Sequence, residues 1–174
     1  MVATEPASAI VARVPVPRML EQARRRWDWA AAVGVPAHVT ILFPFLPVRR
    51  LGPGDRRELA AIAATEEPFV VRFRGVGRFP GVVYLAPEPS APFTRLTAAV
   101  VARYPDFPPY GGAFDEVIPH LTVAESAEAP LDDIAAEARG TLPFERRVSA
   151  LEVIVEGGDG RWHSRWRLPL GVRP

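Results

Sequence analysis

A short pattern occurs twice in this chain, and it restricts the fold more than any other feature. Pro36-Ala37-His38-Val39-Thr40-Ile41-Leu42 and Pro119-His120-Leu121-Thr122-Val123 each set a histidine and a threonine two residues apart in an apolar, β-branched run. Runs of this kind, bounded by glycine or proline, read as strands. Strand side chains alternate between faces, so His38 and Thr40 share one face while Val39 and Ile41 take the other. His120 and Thr122 are related in the same way. The chain has three histidines, and two of them fall in this pattern.

The text around each copy is also alike. In the first half the sequence predicts a strand over 8–16 and a helix over 18–32, its Arg24, Arg25 and Arg26 mostly solvated. The His38 strand follows and ends at the Phe43-Pro44-Phe45 turn. Next come a helix N-capped by Asp55 and running to about Thr65, then a half-buried strand over 69–74. Gly75, Gly77 and Gly81 break up the next stretch, before a short strand over 82–85 that pairs antiparallel with its predecessor. The second half predicts a helix over 92–104, a Pro/Gly loop, the His120 strand and a helix over 130–139. A strand over 144–155, a glycine turn and a last strand over 161–170 complete it. The expectation is an α+β fold: a bilobal duplicated unit with antiparallel sheets and helices outside. One domain, 1–174, would contain lobes over 8–85 and 86–171. A pseudo-twofold axis would then set the two histidine strands face to face across a central cleft.

Composition enters mainly through what it excludes. A chain of 174 residues with 48% apolar and 24% charged residues can bury one sizeable core. Twenty prolines and thirteen glycines favour short elements over long helices. Every apolar run is interrupted before it reaches membrane-spanning length. No basic-then-apolar leader is visible over 1–8, so a cytoplasmic location is expected. Zero cysteines exclude disulfides, thiol chemistry and Cys-based zinc sites. A net charge of +1 argues against holding nucleic acid by bulk electrostatics, so any RNA would be engaged locally, at an end or in a small groove. All 21 basic residues are arginine, which reads as a compositional preference.

A histidine on a strand is more often structural than catalytic, and one His-x-Thr is a weak motif. Two copies at matching points of similar halves favour function. With a pKa of roughly 6.5, one imidazole can be a base while the other is an acid, on either side of a phosphoryl group. A threonine on the same face can donate a hydrogen bond to a non-bridging phosphate oxygen, where negative charge develops. Two histidines and two threonines make a poor zinc site, and Asp115 and Glu116 are not spaced to complete one. No metal and no cofactor are expected.

The paired motifs, with Gly75-Val-Gly-Arg-Phe-Pro-Gly-Val-Val-Tyr-Leu and the closing Trp162 and Leu168-Pro-Leu-Gly, resemble the 2H phosphoesterase superfamily. Within it the chain is most similar to the 2′–5′ RNA ligase-like proteins, also described as RNA 2′,3′-cyclic phosphodiesterases. The resemblance runs from about Ile10 to Gly171. It implies a bilobal α+β fold with a central cleft, and metal-independent chemistry on 2′,3′-cyclic phosphates or 2′–5′ linkages of RNA ends or nucleotides. It implies His120 as the base that activates water, His38 as the acid on the leaving oxygen, and Thr40 and Thr122 on the phosphate. In the ligase direction the two histidines exchange roles. Many relatives carry a basic residue shortly after the second motif; Ala124-Glu125 stands there in this chain and puts the natural substrate in question.

Further candidates lie outside the motifs. Tyr110 and Phe114, on the Pro/Gly loop, are placed to stack on a base. Phe43 and Phe45 point into the core with Val39 and Ile41 if their strand continues unbroken, a register that Pro44 can break. Arg78 and Arg74 are options for clamping a phosphate. His163 shares a face of the last strand with Arg161, Arg165 and Arg167, while Trp162 and Trp166 face the core. Such a basic stripe reads as a phosphate groove or as the charged armour of an edge strand. Two other functions compete with the phosphodiesterase: a non-catalytic nucleotide- or RNA-end-binding module, and a phosphoesterase for a small non-RNA cyclic phosphate. A monomer is expected.

Overall fold

The computed structural model describes residues 5–173. Half of the stretch 1–8, where no leader is expected, lies outside them. The described residues form an α+β fold with two antiparallel four-stranded sheets. In chain order the elements are β1 (Ser8–Arg13), α1 (Arg18–Trp27), α2 (Trp29–Ala32), β2 (His38–Leu42), α3 (Pro53–Ala63), β3 (Phe69–Phe79), β4 (Val82–Glu88) and α4 (Ala91–Arg103). Then come β5 (Leu121–Glu125), α5 (Leu131–Gly140), β6 (Phe144–Val148), β7 (Ala150–Glu156) and β8 (Trp162–Pro169). No helix among the described residues is long and apolar enough to cross a membrane.

One sheet has the order β2-β1-β7-β8 and the other β5-β4-β3-β6. Each histidine motif therefore occupies an edge strand. The lobes do not follow the halves 8–85 and 86–171. The hairpin that joins β3 to β4 carries residues 69–88 into the sheet of β5, and β7 returns from the second half to pair with β1, with β8 beyond it. The stretch 144–155, expected as one strand, divides at Ser149 because its two parts belong to different sheets. Helices cross over too: α4 packs on β2 and α1 on β5. The two lobes are thus interlocked around one continuous core that includes Ile10, Val39, Ile41, Phe73, Leu85, Leu121 and Val123.

Several local expectations change. The helix over 18–32 breaks at Asp28, whose backbone is extended and whose carboxylate accepts the Ala30 N–H at 3.1 Å to start α2. Arg24 is not solvated: it is 1% exposed, bonded to Asp28 at 2.9 Å and Glu21 at 3.2 Å. α3 starts at Pro53, so Asp55 is its third residue and accepts the Gly52 N–H at 2.9 Å instead of capping the helix itself. β3 runs through Gly75 and Gly77 without a break. Gly75 marks a register shift against β4.

Gly77 has a steric reason of its own. A Cβ there would overlap the Tyr84 ring, which stacks on Phe79 at 4.3 Å and lies edge-on to His120 at 5.5 Å. We expect Gly77→Ala to cost about 1–3 kcal/mol, as overpacking does, and to tilt the rings packed against His120. Thermal unfolding checks the first effect, and the NMR signals of the His120 ring check the second.

Candidate active site

The two histidine strands meet at a cavity of about 240 Å3. His38, Thr40, His120 and Thr122 all line it, so the two motifs converge on one space. The histidines are held alike. His38 Nδ1 lies 2.7 Å from the Pro36 carbonyl, and His120 Nδ1 lies 2.7 Å from the Ile118 carbonyl. A carbonyl oxygen only accepts, so each Nδ1 donates, and each neutral ring presents the lone pair of Nε2. His38 Nε2 is 3.1 Å from the Thr40 hydroxyl. Phe79 and Tyr84 pack edge-on against the His120 ring, with centroids 5.2 and 5.5 Å away.

Burial pushes the pKa of His38 down to about 4. The hydrogen bond to Pro36 opposes this, while the charges of Arg24 and His120 add to it. His38 is therefore neutral at neutral pH.

Bulges complete the lining. Thr40 pairs with Val11 and Leu42 with Ile10, so Ile41 is the extra residue of β2. Likewise Thr122 pairs with Tyr84 and Ala124 with Val83, which leaves Val123 extra in β5. An extra residue reverses the alternation of faces beyond it. The third residue after each threonine then turns back toward the cavity: Phe43, just past the end of β2, and Glu125, the last residue of β5, both in the lining. β8 has a third shift, at Arg165, which separates core-packed Trp166 from Trp162, a cavity residue that meets Phe43 at 6.1 Å. Alternation alone therefore misplaces Phe43 and Trp162, while Phe45 is buried, as an unbroken register expects.

The remaining candidates divide. Tyr110 lines the cavity; its N–H donates to the Phe43 carbonyl at 2.6 Å and its φ is +52°, in the left-handed region. Burial raises the Tyr110 pKa, and Thr40 opposes the rise. Phe114 is 63% exposed and touches the edge of Tyr110 from outside the lining. Arg78 is paired with Asp132 at 3.0 Å, Arg74 faces Glu88 at 3.9 Å, and exposed His163 faces Asp159 at 3.7 Å. None of these three lines the cavity. The sequence does not single out Asp28 or Trp29, and it marks Glu125 only as the acidic residue standing where many relatives carry a basic one; the helix break and the β5 bulge bring all three into the lining. Among the described residues, no three His, Cys, Asp or Glu side chains cluster as metal ligands.

The model of the 2'-5' RNA ligase superfamily matches residues 11–160, which include both motifs and strands of both sheets. The chain belongs to that family. Its fold is similar to TT0787 of Thermus thermophilus (21% identity, TM-score 0.60, covering 95% of this chain and 98% of that one). It is also similar to apo E. coli LigT (16% identity, TM-score 0.55, 96% and 99% covered). A third similar structure is E. coli LigT complexed with 3'-AMP (15% identity, TM-score 0.53, 96% and 99% covered). No curated protein sequence matches the chain. In the setting of this 2'-5' RNA ligase superfamily fold, the two Nε2 atoms and two hydroxyls form a set able to move protons on either side of an oxyanion.

Proposed function

We propose that the chain is a metal-independent phosphodiesterase that opens 2′,3′-cyclic phosphates, or 2′–5′ linkages, on RNA ends or nucleotides. The convergence of both His-Thr pairs on one cavity carries this reading. His120 Nε2 takes a proton from water as its oxygen attacks phosphorus, and His38 Nε2 gives a proton to the departing ribose oxygen. Thr40 and Thr122 donate to the non-bridging oxygens. Phe43, Trp162 and Tyr110 form the apolar wall available to a base. A nucleoside monophosphate in the similarly folded LigT supports a nucleotide-bearing ligand.

A neutral His38 must gain its proton with the substrate. A cyclic phosphodiester brings one negative charge between the imidazoles, and a charge within about 4–6 Å favours the imidazolium. The occupied site then holds more protons than the empty one between the free pKa of about 4 and the higher pKa of the complex. Affinity accordingly rises as pH falls across that window and levels off below it. Calorimetry near pH 6, in buffers of different ionisation enthalpy, should register net proton uptake. No uptake would return His38 to the base's role.

The activity itself is tested by incubating a 2′,3′-cyclic nucleotide with the protein in EDTA. The expected product is the ring-opened monophosphate. Tight binding without product would instead mark a nucleotide-binding module.

A further inference from the structure

The two bulges give the cavity a pair of equivalent positions with opposite chemistry. Phe43 is aromatic; Glu125 is a carboxylate. Glu125 accepts from the Trp29 indole N–H at 3.1 Å, and its backbone bridges that of Asp28. The start of α2 is thereby fastened to the end of β5 at the cavity wall. Asp28 has its charge balanced by Arg24 at 2.9 Å. Among the described residues Glu125 forms no ion pair, and its hydrogen-bond partner is the neutral indole. No arginine lines the cavity. The histidines aside, an uncompensated negative charge is the site's fixed electrostatic feature.

Resting on the phosphodiesterase reading, we propose that Glu125 is a specificity-determining residue that selects a small ligand with a single phosphate group and disfavours chains of phosphates. A carboxylate only accepts hydrogen bonds, so the matching edge of the ligand carries O–H or N–H donors, as ribose hydroxyls and base amino groups do. Size points the same way. About 240 Å3 lies below the usual range of ligand cavities and suits a mononucleotide better than an oligonucleotide. A like charge about 7 Å from another in water costs roughly threefold in affinity, and Glu125 is exposed, so the aqueous figure applies. Each further phosphate held near Glu125 meets that repulsion.

The test compares a nucleoside 3′-phosphate with a tetranucleotide ending in the same 3′-phosphate, neither of which offers a ring to open. Trp29 and Trp162 report binding through their fluorescence. At low salt the mononucleotide should bind about three- to tenfold more tightly. Added salt should narrow the gap, and Glu125→Gln should narrow it chiefly by tightening the tetranucleotide. Equal or tighter binding of the tetranucleotide by the native protein would overturn the proposal. That could arise through the groove between α3 and β8, which carries Arg56, Arg57, Arg167 and Arg173. A Glu125→Gln variant that shifts both ligands alike would overturn it too. If the binding order holds but no cyclic nucleotide is opened, the hydrolytic reading fails and the selectivity stands.

Discussion

Replacing His120 by alanine should lower kcat on a 2′,3′-cyclic nucleotide by about 10²–10⁴-fold, and replacing His38 should do the same. Each imidazole handles a proton that neither threonine can manage near neutral pH, since a hydroxyl stays protonated there. The effect should fall on kcat more than on KM, because proton transfer occurs only in the transition state. Both rings are half-buried, so folding should survive. Circular dichroism and the unfolding midpoint then distinguish lost chemistry from lost structure. A variant that keeps most of its turnover would remove that histidine from the mechanism.

The largest expected effect on stability comes from Asp28. Its carboxylate, 3% exposed, is the close partner of Arg24, which is 1% exposed and whose Nε has no hydrogen-bond partner. Burial raises the Asp28 pKa, and Arg24 opposes the rise. Asp28→Ala leaves a guanidinium in the core with only Glu21 and the Val35 carbonyl to answer it. Stranding a buried charge in this way costs about 3–5 kcal/mol. For a chain of this size that lowers the unfolding midpoint by roughly 6–20 °C. Substituting Arg24→Met in the same protein should recover much of the loss, because the orphaned charge leaves with it. A midpoint that moves by less than about 2 °C would show that the pair is not a structural support. The substitution should also depress activity, since Asp28 lines the cavity and the Arg24 charge already lowers the His38 pKa.

The sequence made the strands and their shared faces legible because alternation is strict: His38 with Thr40 and Ile41 with Val39 follow from period two. Antiparallel sheets and outer helices followed from the order of elements. Sheet membership did not. A hairpin such as β3–β4 is a local signal, but nothing local says which edge it will join. Bulges were illegible for a different reason. Ile41, Val123 and Arg165 are ordinary strand residues, and the extra residue is visible only once the partner strand fixes the register. Those three shifts put Phe43, Glu125 and Trp162 at the cavity, so the parts of the site least readable from sequence are the ones beyond the two motifs. Arg24 looked solvated because Arg24, Arg25 and Arg26 are consecutive. The break at Asp28, flanked by two tryptophans, supplies the carboxylate that lets it be buried.

The central claim is that His38 and His120 act together on one phosphate. It is tested most directly by kcat on a 2′,3′-cyclic nucleotide for each single alanine variant and for the double variant. Groups that work as a unit are strongly non-additive, so the double variant should be no more than a few-fold slower than the slower single one. Losses that multiply, as for two independent sites, would contradict it.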